Sequence, residues 1–193
     1  MPGLVAPVAD EREGLLAYLA QQRLVLRLTA HGLTDDQARA TPTVSSLSIG
    51  GLIKHVATAE RGWMDAIQQR KREWSIDDHH AGFRLTPSET LADALELYDQ
   101  AAKETDAVIA EIPDLGQIVP VPQEVPWVPG DITAWSVRWV LLHLIEETAR
   151  HAGHADIIRE SLDSATALPL MAAAEGWPAD SWVQPWVAPP EKT

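Results

Sequence analysis

Four polar residues near the C-terminal end constrain the fold of this chain more than any other feature. His143, Glu147, His151 and His154 follow one another at steps of four, four and three, within the segment WVLLHLIEETARHAGHADIIRE. Such steps place side chains on one face of an α-helix. The spacing therefore predicts a long helix that carries imidazole and carboxylate groups along one face.

Imidazole and carboxylate are ligands of divalent metals, so this helix predicts a metal site. A helix rises by about 1.5 Å per residue, so His143 and His154 lie roughly 16 Å apart and cannot bind the same ion. Glu147 with His151 is the central pair, and His151 with His154 is the alternative pair. Glu146 lies roughly 140° around the helix from His151 and is expected to face solvent. A third ligand must come from elsewhere in the chain.

Helix-capping signals divide the N-terminal part of the chain into helices. Asp10 and Glu13 resemble a capping box that opens a long amphipathic helix, which Gly32 is expected to end. Thr34 and Gln37 form a second capping box, which opens a short helix. The signals predict one long and one short helix before the next loop.

Two more long helices are predicted before the helix with the metal motif. Ser48 can cap the segment GGLIKHVATAERGWMDAIQQRKR, and the polar, aperiodic residues 73–85 after it are typical of a loop. Thr86, Pro87 and Glu89 supply an N-cap, a first-turn proline and a capping-box acid. The third long helix is therefore expected to start at Thr86.

The end of the third helix and the start of the last one enclose a proline-rich segment. The third helix is expected to run to about Ile112, because Pro113 follows. Residues 113–130 contain five prolines and predict an extended crossover. Asp131 or Thr133 is expected to cap the last long helix.

Four long helices with long connections predict an all-α protein, a four-helix bundle with long crossover loops and a short C-terminal extension. The sequence shows neither an internal repeat nor a second domain. We therefore expect a single domain over residues 1–193, with a core from about residue 10 to 162 and an extension from 163 to 193. The extension contains the sequence LMAAAEG, which predicts one short helix, and a loop with three tryptophans.

Composition excludes several classes of function. The chain contains no cysteine, so it has neither disulfides nor thiolate ligands of its own. Its formal net charge of −13 argues against nucleic acid or anionic membranes as partners. The N-terminus lacks the pattern of a signal peptide, and no apolar stretch is long enough to cross a bilayer. The expectation is a cytoplasmic protein without a membrane or nucleic-acid partner.

Four histidines outside the last helix are candidates for the third metal ligand. His31 stands beside a glycine that ends a helix, where histidine is common for other reasons. His79 and His80 lie in the acidic loop and are expected to be solvated. His55 lies in the middle of the second long helix beside its apolar stripe, so it points at or near the interior of the bundle. His55 is the best candidate from another helix.

Three stretches of the chain resemble the DinB-like superfamily of four-helix (DinB/YfiT-like) metal proteins. They are SSLSIGGLIKHVATAERGW, FRLTPSETLADALELY and VRWVLLHLIEETARHAGHADIIRE, and together they span the bundle. More narrowly, the chain resembles the actinobacterial DUF664 group, whose members are regarded as mycothiol-dependent transferases.

The resemblance implies a metal held by His55, Glu147 and His151. Many DinB-like proteins have a third histidine where this chain has Glu147. The His-Glu-His set is similar to that of the DUF664 group and of the mycothiol-dependent maleylpyruvate isomerases. The chain lacks the additional C-terminal domain of those isomerases, which argues against the isomerase activity.

The function implied is a metal-dependent thiol S-transferase that uses mycothiol or a similar low-molecular-weight thiol and an electrophile that the sequence does not identify. Zinc is the expected metal, with nickel, iron and manganese as alternatives. His154 or Arg150 is expected to orient a ligand or substrate. A homodimer is common for such bundles.

Three other interpretations of the sequence remain open. The chain can be a metal-binding stress-response bundle without catalysis, or an isomerase or hydrolase that uses water where the transferase uses a thiol. In the third interpretation, His55, Glu147 and His151 form a buried hydrogen-bonded network that holds no metal.

Overall fold

The protein is described from a computed structural model, which covers residues 4–71, 75–121 and 131–188. In these ranges the elements are α1 (Glu11–Leu28), α2 (Asp35–Arg39), α3 (Ile49–Ile67), α4 (Ile76–Gly82), α5 (Leu91–Glu111), β1 (Ile118–Pro120), β2 (Ala134–Ser136), α6 (Val137–Asp163) and α7 (Ala167–Ala174). The fold is all-α with one two-stranded antiparallel sheet, in which Val119 lies opposite Trp135. The predicted fold class is confirmed.

The four long helices α1, α3, α5 and α6 form the bundle. Helix α3 packs against both α5 and α6, and α1 packs against α6. One part of the core joins Leu52 and Val56 of α3 to Tyr98 of α5. The other part joins Met64 of α3 to Leu141 and residues near it on α6. Because α3 contacts two of the other long helices along its length, its side chains reach both α5 and α6.

Several predicted helix starts are confirmed by the caps. The side chain of Asp10 accepts a hydrogen bond from the backbone N–H of Glu13, and Thr34 and Gln37 form a reciprocal capping box. Ser48 caps α3. Helix α1 ends at Leu28, and Gly32 then adopts a φ of +73°, which a glycine adopts without steric cost.

Helix α5 begins later than predicted, at Leu91 and not at Thr86. Its N-cap is Thr90, which forms a capping box with Asp93. Thr86 and Glu89 form a separate turn, in which the N–H of Thr86 donates to the Glu89 carboxylate. The sequence TPSETLAD contains two overlapping capping patterns. The second, Thr90 with Asp93, lies directly at the start of the buried face of α5, and it is the one that caps the helix.

The start of α6 was also predicted too early. Its N-cap is Ser136, which accepts a hydrogen bond from the N–H of Trp139, and neither Asp131 nor Thr133 caps it. The residues before Ser136 instead pair with β1 as strand β2. The predicted crossover is extended at β1, and its residues 122–130 lie outside the described residues.

The prediction of a loop over residues 73–85 was wrong, because α4 forms within it. Ser75 caps this short helix by accepting a hydrogen bond from the N–H of Asp78. Helix α3 ends at Ile67, before the predicted segment does, and Gln69 follows with a φ of 54°. In the C-terminal extension, α7 starts at Ala167, earlier than predicted.

Among the helices of the described residues, none combines the length and apolar character needed to cross a membrane.

Candidate metal centre

The candidate centre lies where the flank of α3 meets the flank of α6. Helix α3 supplies His55, and α6 supplies Glu147 and His151 one turn apart. One carboxylate oxygen, Oε1 of Glu147, lies 3.1 Å from Nε2 of His55 and 3.2 Å from Nε2 of His151. The structure therefore brings together the three residues that the resemblance implies.

The three side chains have the geometry and chemistry to hold one metal ion. Each offers one ligand atom, and these atoms all lie within 4.8 Å of one another. The two histidines are 7% and 8% exposed, and Glu147 is partly buried. Two imidazoles and a carboxylate form a donor set that zinc and other divalent first-row metals accept.

Electrostatics keeps Glu147 ionised. The hydrogen bond with His151 is the largest cause that holds the pKa of the Glu147 carboxyl well below its ordinary value, and the hydrogen bond with His55 adds to it. Burial acts in the opposite direction and is outweighed. A carboxylate removed from water needs a cation or strong donors as partners, and a metal ion would meet that need.

Of the other polar residues on α6, His154 reaches the centre and Arg150 does not. Nδ1 of His154 lies 3.4 Å from Nδ1 of His151, on the side of the ring that faces away from Glu147. Burial, followed by the charges of His151 and Arg150, lowers the pKa of His154. Arg150 is exposed and forms no ion pair within the described part of the chain. As predicted, Glu146 is also exposed.

An aromatic wall that the sequence did not predict covers His55. The ring of Phe83 stacks on the imidazole of His55, with ring centroids 3.7 Å apart and an interplanar angle of 17°. His79 meets His55 edge-on at 5.8 Å and also contacts Phe83. His79, which was expected to be solvated, is partly buried, because its ring contacts His55 and Phe83, whereas His80 is exposed as expected.

Gly51 allows this wall to approach α3. A Cβ atom at Gly51 would lie 2.0 Å from the carbonyl oxygen of Phe83, so any larger residue would push the two segments apart. The adjacent pair Gly50 and Gly51 at the start of α3 is the signal by which the sequence could have indicated a close backbone contact.

His143 belongs to an aromatic stack and not to the metal group. Its ring stacks on Trp139 at 5.1 Å, and Trp139 stacks on Trp135 at 4.8 Å. Trp63 packs edge-on against all three rings. The distance along the helix already implied that His143 and His154 cannot bind the same ion. The tryptophan stack is what holds the His143 ring in place. His31 lies against Trp186, apart from the centre.

Comparison with known proteins identifies the family. The model of the mycothiol-S-transferase family matches residues 14–164, a range that includes α3, α5 and α6 with all three residues of the centre. The chain belongs to the mycothiol-S-transferase family. The predicted resemblance to DinB-like proteins is thereby confirmed, since this family is DinB-like.

The fold of this family member also has a solved structural relative. A conserved protein from Enterococcus faecalis superposes with a TM-score of 0.60 at 14% sequence identity, covering 80% of this chain and 98% of that one. At this identity the likeness supports the shared fold alone. Comparison with curated proteins finds no match.

Proposed function

We propose that the protein is a metal-dependent thiol S-transferase that uses mycothiol or a similar low-molecular-weight thiol. In this proposal His55, Glu147 and His151 hold a divalent cation, with zinc as the expected metal. The observation that carries the proposal is the convergence of three ligand atoms within 4.8 Å in a member of the mycothiol-S-transferase family.

The donor set favours an open site over a purely structural one. A structural zinc site in a protein has four protein ligands, whereas a catalytic site keeps a position for substrate. Three ligands converge here from two helices, and one of them, Glu147, is partly exposed. When bound, the cation would lower the pKa of a thiol at the open position, so that the thiolate is present at neutral pH.

The reaction needs a sulfur nucleophile, and the chain contains no thiol of its own. The sequence has no cysteine, so the sulfur comes from the small-molecule thiol. The S–H proton leaves to solvent, the sulfur forms a bond to an electrophilic carbon, and the leaving group departs with the electron pair of the bond that breaks. The product is a thioether, and no oxidant or reductant is required.

The surrounding residues of the chain position the ligands and exclude water. Phe83 covers one face of His55 and restricts its ring, while His79 closes the edge. For His151 to present the lone pair of Nε2 to a cation, its Nδ1 must carry the hydrogen. His154 Nδ1 stands where it can accept that hydrogen, so we assign His154 the role of orienting His151.

Metal analysis of purified variants tests the proposal. We expect stoichiometric metal in the wild-type protein and its loss in the H55A and H151A variants. The matched control is H143A, which removes an imidazole of the same helix that the tryptophan stack holds away from the centre. Replacement of the metal with Co²⁺ should then give a visible absorption band that shifts when the thiol is added.

Two results would contradict the proposal. A wild-type protein that stays empty after incubation with zinc, nickel, iron and manganese would eliminate the metal site. The second result is a metal-loaded protein whose cobalt band does not respond to any thiol but which hydrolyses or isomerises substrates without one. That result would show that the metal activates water and not a thiol.

A further inference from the structure

A cleft opens beside Phe83, and none of the three candidate metal ligands lines it. It consists of two adjoining cavities of about 660 Å³ and 290 Å³, between the loop before α3 and the segment after α4. Ser46, Arg84 and Leu85 line both cavities, Phe83 and His80 line the larger one, and Arg39 lines the smaller one. We call this feature the Arg84 cleft.

The charge of the Arg84 cleft is opposite to that of the rest of the protein. The whole sequence has 28 acidic residues against 15 lysines and arginines. Yet among the described residues that line the cleft, the charged ones are Arg39 and Arg84, and none is Asp or Glu. Hydroxyl groups complete the lining, from Thr41, Ser46, Ser48 and Thr86. Asp36 and Glu89 lie just outside this lining, near Arg39 and Thr86. Guanidinium and hydroxyl donors in a lining that contains no acidic residue can bind an anion.

Arg84 is the residue best placed to act on such an anion. Its backbone is fixed, because its N–H donates to the carbonyl of Ala81 and its own carbonyl accepts from Nζ of Lys54. Its side chain is exposed, and within the described ranges its guanidinium forms no ion pair. The planar fork of donors is thus available to a ligand.

Arg39 gives the cleft a second cation that is already held in place. One terminal nitrogen donates to the backbone carbonyl of Glu89, and the nearest carboxylate, Asp36, lies 3.8 Å away on the open surface. Such an exposed pair is weak and screened by water. The Nε atom of Arg39 is buried and lacks a hydrogen-bond partner within the described residues. The nitrogen that an anion could contact is therefore Nη1, which has only the weak pair with Asp36.

Phe83 connects this cleft to the metal centre. Its ring stacks on His55, and the same residue lines the cleft beside Arg84. An anionic group at Arg84 would therefore be bound next to the residue that covers a proposed metal ligand. Phe83 is thus a wall that the Arg84 cleft and the centre share.

We propose that the Arg84 cleft binds the anionic group, a carboxylate or a phosphate, of the electrophile that accepts the thiol. The assignment of this anion to the electrophile rests on the proposed transferase function, whereas anion binding itself does not. The cleft makes an acidic electrophile the preferred substrate class, and Arg84 is the residue that determines this specificity.

Calorimetric titration of the full-length protein, without thiol, tests the binding step. The probes are benzoate, phenyl phosphate and the neutral analogue benzamide. We expect at least one anion to bind about tenfold more tightly than benzamide, since charge-assisted bonds to a guanidinium are stronger than neutral ones. The preferred anion distinguishes a carboxylate site from a phosphate site.

Variants then locate the binding. R84Q should weaken binding of the anion about tenfold, and R84K should retain part of it, because lysine keeps the charge but loses the bidentate geometry. R61Q is the matched control, since it removes the same charge from an exposed arginine of α3 that pairs with Glu104 outside the cleft. Binding of benzamide as tight as that of both anions, or an equal loss in R61Q and R84Q, would overturn the proposal.

A pair of matched substrates tests whether the cleft contributes to turnover. With metal and thiol present, 4-chloro-3-nitrobenzoate and its benzamide analogue differ only in the charged group. We expect R84Q to raise KM for the benzoate with little change in kcat, and to leave the benzamide unaffected. Anion binding without thiol transfer would support the cleft and contradict the transferase function, whereas thiol transfer without anion binding would contradict the cleft alone.

Discussion

Glu147 shows how one residue connects two helices at the candidate centre. Its Oε1 lies within 3.2 Å of both imidazole nitrogens, one from its own helix and one from α3. The partner four residues away, His151, follows from helical geometry and could be predicted from spacing. The partner His55 is 92 residues away. Its position beside the apolar stripe of its helix made it the best candidate from another helix, but only the packing of α3 on α6 shows that it reaches Glu147.

His154 should affect the metal through His151. We expect H154A to weaken binding of Zn²⁺ by about 10- to 100-fold, the usual effect of removing a group that orients a metal-bound histidine. The measurement is a competition titration against a chromophoric zinc chelator. R150A is the control, because Arg150 is exposed on the same helix. Equal zinc affinity in H154A and the wild type would show that His154 only fills space.

At the scale of elements, a hydrogen-bonded ion pair fixes the start of α5 relative to α3. Nζ of Lys54 lies 2.7 Å and 2.8 Å from the two carboxylate oxygens of Glu89. The bond from Lys54 is the largest cause that lowers the pKa of Glu89, followed by the bond from the backbone of Thr86. The same turn leads directly from Phe83 and Arg84 into the helix, so the pair also supports the wall of the centre.

This ion pair predicts a pH-dependent stability difference. Because the pKa of Glu89 is lower in the folded than in the unfolded protein, its contribution is present above the ordinary carboxyl pKa and is lost as pH falls through the lowered value. E89Q should therefore unfold more easily at pH 7, by about 0.5–1 kcal/mol, and match the wild type in acid. Urea denaturation across this pH range measures the difference, with E96Q on the exposed side of α5 as the control. A difference that persists unchanged at low pH would contradict this origin.

Helix α4 shows why some elements escaped prediction from sequence. This helix covers the centre from outside and buries none of its residues fully. Its sequence therefore shows no apolar periodicity from which a helix could be predicted. The late starts of α5 and α6 have a related cause, since several residues near each start can cap a helix. Which one does so depends on where the buried face begins, and on the pairing of β2 with β1.

At the scale of the whole molecule, a buried ion pair joins three helices inside the bundle. Arg23 of α1 donates to the carboxylate of Glu60 on α3, which is 0% exposed, and to Asp106 on α5 at 3.1 Å. A charge in this position is stable only with its partner, since the interior cannot solvate it. The pair thus determines how α1, α3 and α5 fit together.

Removal of one partner should therefore destabilise the entire protein. E60Q is expected to lower the free energy of unfolding by about 3–5 kcal/mol, because it leaves the buried Arg23 charge with only the more exposed Asp106 as its partner. The double variant R23M/E60L should recover most of that loss, since an apolar pair replaces both charges. Thermal and urea unfolding measure both, and E11Q, which removes a solvent-exposed pair with Arg138, is the control. A double variant less stable than E60Q would contradict the argument.

Local patterns of residues were enough to predict the helical periodicity and the local chemistry of this protein. Four long helices, the N-caps Asp10 and Ser48 of two of them, and the ligand pair Glu147 and His151 all depend on residues within a turn or two of one another, where helix geometry is nearly fixed. The tertiary structure decided which distant groups meet. The stacking of Phe83 on His55, the inward position of His79 and the acid-free Arg84 cleft each require segments to pack closely, and such packing depends on the shape of the whole core.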